Sequence, residues 1–384
     1  MGRFPRRRRM SFRNVMHAIC RRCRPALWRG VRRTRADRYV KRYASVDVAL
    51  ALVSYFLLGL SSLRGLKRRL DQDELAARCV GWGKMSISQL SKILHIRPPQ
   101  LWEPLIEELG VQVTGSQVPS WIRVIDSTLF KLSAKLLSRC TGKRFKNPGN
   151  AGLHATMVLD VRNLTPVRLR SKLGQGSDAA NGRAVLPPEE SIKGHLYLFD
   201  RGFRNYAFYE DLIQREADFV TRQSETIRYE VLETRKLQPD RPQIVSDEKV
   251  RLGSHNAKNR MKNPVRRIVL QTEGEPLIFL TSCFDLSAFE VTELYRQRWI
   301  IEVFFRWLKK VIGCHKPMGY SQSAAEHTIY AALVVYLLTL LLAGLTCAPP
   351  RDQKTAQIKA AFELLAALLY QTPRRQHLHA LGFA

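Results

Sequence analysis

The chain is 384 residues long and 45% hydrophobic, enough for a real core and against wholesale disorder. Lys and Arg number 63 against 33 Asp and Glu. The resulting formal charge of +30 repels itself in a compact state and points to a polyanionic partner. Nucleic acid fits best, because each neutralised phosphate releases a condensed counterion; an anionic membrane surface is the rival, and ordinary solubility charge does not reach this magnitude.

Residues 1–44 read as a basic N-terminal arm without fixed structure of its own, with Arg6 to Arg9, Arg21, Arg22, Arg24, Arg32 and Arg33 against a single acid, Asp37. No apolar stretch with a cleavage site follows it directly. His17, Cys20 and Cys23 are zinc-ligand types, but no second Cys or His pair lies nearby, so a structural zinc is the weaker reading. The seven cysteines, an odd count without regular spacing, read as reduced thiols of a cytoplasmic protein.

Residues 45–118 read as a helical N-terminal DNA-binding domain, with Leu50, Val53, Leu57 and Leu60 at helical spacing. Ser86 to His95 and Gln100 to Leu109, separated by Arg97-Pro98-Pro99, form two short helices. They serve either as a helix-turn-helix reader or as core helices of a small bundle; spacing does not decide between them.

From Trp121 the texture changes. Ile122 to Asp126 and His195 to Asp200 are short β-prone runs, each ending in a carboxylate and followed by turn residues. Ala155 to Asp160 and Pro166 to Leu169 flank a hairpin turn at Arg162-Asn163, and Lys172 to Glu190 reads as loop. Asn205 to Ala217 is helical in period, Asp218 to Thr221 opens a strand, and strand signals recur at Ile227 to Leu232, Arg266 to Leu270 and Pro276 to Thr281. Leu286 to Ile312 reads as one long helix, and helix continues past a break at Lys316 to Tyr320 as far as Tyr370.

Alone, Asp126 or Asp200 is more simply a turn residue. The Leu294–Lys310 helix changes the weighing. At 100° per residue, with Tyr295 at zero, Arg298 falls at about 300°, Lys309 at about 320° and Glu302 at about 340°, one polar stripe on a helix otherwise apolar. A Glu there must face a partner, since burying an unpaired carboxylate is costly. That partner is a metal site, or simply Arg298 in an i,i+4 salt bridge. Three carboxylates together offer the hard oxygen ligands that suit Mg²⁺. Two such ions activate a nucleophilic water or 3′-hydroxyl and stabilise the leaving oxygen.

Tyr295-Arg-Gln-Arg298-Trp-Ile-Ile-Glu302 followed by Lys309 matches the Tyr-x2-Arg-x3-Glu-x6-Lys signature, and so resembles the DDE transposases of the insertion sequence 4 family. Asp200-Arg201-Gly202-Phe203 resembles that family's second-aspartate motif and Val124-Ile125-Asp126 its first. The resemblance implies an α/β fold: an RNase H-like mixed sheet with a β-rich insertion near 222–280, a helical N-terminal domain and a helical C-terminal region. It places the catalytic domain at 119–345 and a helical tail at 346–384. It implies that Asp126, Asp200 and Glu302 are catalytic and hold two Mg²⁺ (or Mn²⁺) ions, and that Tyr295, Arg298, Lys309 and Arg201 contact DNA. The expected partners are double-stranded DNA at element ends and target, and a second copy in a synapse, with no membrane and no nucleotide cofactor, in a bacterial, nucleoid-associated setting.

The resemblance also makes the apolar run Ile329 to Ala348 a helix packed on the core, although its length suffices to cross a bilayer. Some family members hold a flipped base on a Trp of the insertion. No Trp lies between Trp121 and Trp299 here, which leaves Phe279 or Phe284 to stack. The chain is thus expected to cut element ends and join them to target DNA. The alternatives are a non-catalytic DNA-binding repressor derived from such an enzyme, and a protein held to a membrane by the apolar run and the basic arm.

Overall fold

The computed structural model describes residues 12–38, 42–115, 121–132, 152–174, 178–186, 192–224, 226–254, 260–314 and 321–342, with positions 40, 137–138 and 318–319. The chain divides into two units. One comprises 1–117, 131–144 and 307–384, the other 118–130 and 145–306.

The first unit is helical. Helix α1 (Phe12–Thr34) corrects the expectation of an arm without structure. Met16, Cys20, Cys23, Leu27 and Val31 recur every three or four residues and are buried, as is Ile19, so the segment has an apolar stripe beneath its arginines. Residues 1–11, with Arg6 to Arg9, lie outside the described residues. Burial pushes the Cys20 and Cys23 thiols up to about 12, His17 is exposed, and among the described residues no three His, Cys, Asp or Glu side chains gather to hold an ion. The zinc reading of these three residues is therefore not supported.

Helices α2 (Ser45–Leu57), α3 (Leu63–Gln72), α4 (Glu74–Val80), α5 (Ile87–Ile96) and α6 (Glu103–Thr114) follow. A reciprocal cap between Ser86 and Gln89 starts α5, and the 3₁₀ turn Pro99–Trp102 separates it from α6. Helix α6 buries Leu105, Ile106, Leu109 and Val113, while Arg29 and Arg33 of α1 pair with its Glu108 and Glu103. These pairs hold α6 against α1 as a helix of a bundle.

The last helix of this unit, here numbered α11 (Gln322–Leu342), is long and apolar enough to span a membrane, yet 89% of its most apolar window is buried. It packs on α2, α5 and α6, as expected of a core helix. The expected tail at 346–384, and helix beyond Leu342, lie outside the described residues.

The second unit is built on a nine-stranded sheet: β1 (Ile122–Lys131), β2 (Gly152–Asp160), β3 (Pro166–Gly174), β4 (Leu196–Phe199), β5 (Asp218–Gln223), β6 (Tyr229–Thr234), β7 (Ile244–Leu252), β8 (Val265–Leu270) and β9 (Leu277–Thr281). Their order is β3-β2-β1-β4-β5-β9-β8-β7-β6. Strands β1, β4 and β5 run parallel, and β2 and β3 form the antiparallel hairpin. The five-strand order 3-2-1-4-5 with this mix of directions is the RNase H-like arrangement, so the expected fold class holds.

The insertion is strand-rich as expected. It also prolongs the same sheet, because β9 pairs antiparallel with β5 and β8, β7 and β6 follow in turn. Two sequence readings are corrected here. The stretch read as loop over Lys172 to Glu190 contains the end of β3 and helix α7 (Asp178–Val185). The single helix read over Leu286 to Ile312 is two, α9 (Ala288–Arg296) and α10 (Trp299–Lys310), parted at Gln297-Arg298. There the backbone amides of Gln297, Arg298, Ile300 and Ile301 each reach only three residues back, a tightened turn.

Between β4 and β5 run a 3₁₀ turn (Arg201–Phe203) and helix α8 (Tyr206–Gln214), capped by Asn205. An aromatic cluster fixes this corner. Phe199 and Phe219 stack at 5.8 Å between centroids and Tyr209 and Phe219 at 4.7 Å, with Phe203 and Phe208 against them.

Candidate active site

Register places the two aspartates. Val124 of β1 pairs with Leu198 of β4, so Asp126 and Asp200 each lie two residues beyond the paired position, at the same end of parallel strands. Asp200 follows the last residue of β4, as its sequence context implied. Asp126 does not end its strand, since β1 runs on to Lys131; it lies where pairing with β4 has stopped.

The Asp126 side chain is only 16% exposed. Its Oδ1 accepts from the Ser127 amide at 2.7 Å. Burial is the chief reason its carboxyl is pushed up to about 7, against the bond from Ser127; the charges of Asp200 and Glu302 raise it further, and Arg298 lowers it. A carboxyl raised by two neighbouring carboxylates would be relieved by a multivalent cation.

Asp200 is held differently. Its Oδ1 accepts from the Gly202 amide at 2.8 Å, and its carbonyl accepts from Thr221 Oγ1 at 3.2 Å. A Cβ on Gly202 would stand 3.0 Å from Asp200 Oδ1 and 3.1 Å from Asp178 Oδ2, so glycine leaves room for two carboxylates around this turn. Arg201 is exposed beside them.

Glu302 sits in the first turn of α10, with its side chain 32% exposed. Arg298 Nη2 donates to its Oε1 at 2.6 Å, and Arg298 Nη1 lies 3.7 Å from Asp126 Oδ2. The guanidinium thus sits between two of the three carboxylates, and the simple i,i+4 bridge weighed from sequence is present alongside the grouping. Among the described residues, no three His, Cys, Asp or Glu side chains stand close enough to hold one ion as they are. By donor chemistry Asp126, Asp200 and Glu302 fit a hard divalent cation; by arrangement, two of them are engaged with Arg298.

Tyr295, from the last turn of α9, has Arg298 5.9 Å from its ring centre. Burial pushes its hydroxyl up to about 12, the charge of Asp200 adds to this, and Arg298 and Arg222 oppose it. Three of the four signature residues, Tyr295, Arg298 and Glu302, are therefore neighbours although the helix is broken between them. Lys309 lies seven residues beyond Glu302 on α10 and belongs to the helical unit; it is half-buried, and burial lowers its pKa.

Sequence reasoning missed Asp178, Arg222 and Thr221. Arg222 is exposed on β5 and Asp178 opens α7. A carboxylate at a helix start is too common to signal anything, and Arg222 is one arginine among many. Phe279 is 2% exposed and packs edge-on against Tyr295 at 5.4 Å, so the idea that it stacks on a base is corrected. Phe284 is half-buried, with Arg235 and Lys249 5.9 and 5.8 Å from its ring.

The family described as "Transposase DDE domain" matches residues 118–338. The chain is 27% identical over 228 residues to the putative transposase y4zB of Sinorhizobium fredii, covering 58% of this chain and 61% of that protein. It is 24% identical over 223 residues to a probable transposase for insertion sequence element IS5377 of Geobacillus stearothermophilus, covering 57% and 56%. The chain thus spans about three-fifths of the length of these relatives. A solved structure of a piggyBac transposase synaptic complex with hairpin DNA aligns at a TM-score of 0.44 and 12% identity, covering 100% of this chain and 87% of that one.

Proposed function

The chain belongs to the family of transposase DDE domains, and on that premise we propose that it cleaves DNA at the inverted-repeat ends of an insertion sequence and transfers the freed 3′ ends into target DNA. The observation that carries the reading is the meeting of Asp126 and Asp200, level with each other at the ends of parallel strands, with Glu302 linked to Asp126 through Arg298.

The family in general works with divalent metal ions. Asp126, Asp200 and Glu302 would hold two Mg²⁺ (or Mn²⁺) ions, which supply charge stabilisation to the attacking and leaving oxygens of an in-line phosphoryl transfer. The chain's own residues do the positioning. Arg298 is a guanidinium already on the carboxylates; released from Glu302, its fork matches a scissile phosphate. Tyr295 backs it, exposed Arg201 meets the strand beside Asp200, and Lys309 adds a further phosphate contact.

The partners on this reading are double-stranded DNA at element ends and target, and a second copy, since two ends must be cut and joined together. The setting is a bacterial cytoplasm, at the nucleoid.

The test is a Mg²⁺-dependent cleavage assay on the element's terminal repeats, comparing wild type with Glu302→Gln after matching their DNA affinities. Cleavage by wild type alone supports the reading. Tight binding without cleavage by either, with Mn²⁺ also tried, replaces it with the repressor reading.

A further inference from the structure

Beyond the turn that follows Asp200, the sheet unit carries a concentration of positive charge. The start of α8 around Arg204 and Tyr206, the Arg183 turn of α7, and the segments holding Arg228 and Lys262 enclose a cavity of about 910 Å³. A further cavity of about 530 Å³ shares Arg228, Gly253, Ser254 and Arg260 with it, so the two form one trough.

The acids of this trough are engaged within the protein. Glu210 accepts from the Asn263 amide at 3.0 Å, and Asp211 pairs with Arg215 at 3.3 Å and Arg183 at 3.8 Å. Arg204, Arg228 and Lys262 are exposed, and no carboxylate among the described residues pairs with them. Arg228 has only a 3.4 Å bond to Ser254 Oγ. Among the described residues, the trough therefore presents three exposed cations without a carboxylate partner.

We propose that this trough binds the phosphodiester backbone of DNA beyond the reacting strand. A small anion is held by desolvated, converging donors. Exposed cations spread along an open trough instead suit a polyanion, held by several contacts that each release a counterion. Half-buried Tyr206 adds an aromatic wall. Position agrees: Arg204 ends the single 3₁₀ turn that begins at Asp200, so a strand passing the carboxylates continues onto the trough. The inference rests on the transposase reading and adds a second DNA tract to it.

The test uses full-length protein, a fluorescein-labelled duplex, and anisotropy titrations between about 50 and 200 mM KCl. The variant is the triple Arg204→Ala, Arg228→Ala, Lys262→Ala. The control triple, Arg162→Ala, Lys193→Ala, Lys236→Ala, removes equal charge from exposed positions after β2, before β4 and after β6. At about 0.9 per phosphate contact, the trough triple should flatten the log–log salt slope by roughly two to three and weaken binding about tenfold or more, while the control changes it by less than about one. If the trough triple melts early, Arg204→Gln with Lys262→Gln is read in its place. Equal slopes for the trough and control triples overturn the proposal. So does displacement of the duplex from wild type, but not from the trough triple, by inorganic phosphate at constant ionic strength, which would make this a small-anion site. Either result leaves the carboxylate reading standing if wild type cleaves and Glu302→Gln does not; loss of that cleavage difference sinks the transposase reading instead.

Discussion

Arg298 donates to Glu302 at 2.6 Å from the tight turn that parts α9 from α10, and the same guanidinium lies 3.7 Å from Asp126. A cation of the protein thus engages oxygens that a divalent ion would use. Removing it should have opposite effects on two measurements. Arg298→Gln in the DNA-free protein should bind Mn²⁺ more tightly in calorimetric titration, by about tenfold, the worth of one charge-assisted hydrogen bond. Cleavage of terminal-repeat DNA should fall by roughly a hundredfold or more, because the fork that meets the phosphate is gone. Weaker Mn²⁺ binding by the variant would mean that Arg298 shapes the carboxylates rather than competing for them.

Gly202 gives a second, purely steric test. Its amide holds Asp200 Oδ1 at 2.8 Å, and an added Cβ would meet that oxygen at 3.0 Å and Asp178 Oδ2 at 3.1 Å. These contacts are tight but touch flexible carboxylates, so the fold should survive. Gly202→Ala is expected to melt within a few degrees of wild type while cleavage falls about ten- to a hundredfold, since displacement of a reacting group by an ångström is costly. A variant that cleaves as wild type does would show that Asp200 does not depend on this turn.

The raised carboxyl of Asp126 makes stability depend on pH. Its folded pKa, about 7, lies above the unfolded value near 3.9, so the folded state keeps a proton that the unfolded chain releases. The stability this provides is complete below the unfolded value and is lost as pH rises through about 7. In EDTA, wild type should therefore lose stability relative to Asp126→Asn between pH 5 and 8, on the order of 1–3 kcal/mol. Parallel urea-midpoint curves for the two proteins would show that Asp126 ionises freely.

How far the sequence could carry the reading is clear from particular residues. The strands before Asp126 and Asp200 were legible because parallel central strands are apolar on both faces. The meeting of Tyr295, Arg298 and Glu302 was legible from spacing, although the wheel that suggested it assumed a continuous helix. The break at Gln297-Arg298 left no sign, since neither Gly nor Pro marks it. Strand β7 went unread because its alternation fails: Val250 and Leu252 share a face with Glu248 and Ser246, while the opposite face buries Asp247 against Arg266 at 2.6 Å. Helix α7 went unread for the opposite reason. Gly182 looked like loop, yet it is the residue whose missing Cβ, 2.7 Å from Phe203, lets the helix lie against the turn after Asp200. Lone residues that answer to distant partners carry no period, and period is what a single sequence shows.

The helical unit holds its own titratable pin. His327 of α11 is wholly buried; Trp102 Nε1 donates to its Nδ1 at 2.8 Å, so the ring proton is on Nε2, 3.2 Å from the Arg97 carbonyl. Burial lowers its pKa to about 4 against an ordinary 6.5. The unfolded chain therefore binds a proton first, and the stability His327 lends is full above about 6.5 and lost as pH falls toward 4. His327→Ala leaves the Trp102 N–H without its acceptor and should cost about 1–3 kcal/mol at pH 7.5, beyond the cavity it opens. His327→Gln can supply an amide oxygen to Trp102 and should cost less while removing the acid sensitivity between pH 6.5 and 4. Urea unfolding followed by tryptophan fluorescence reads all three proteins. Equal pH slopes for wild type and the Gln variant would show that another group governs acid unfolding of this bundle.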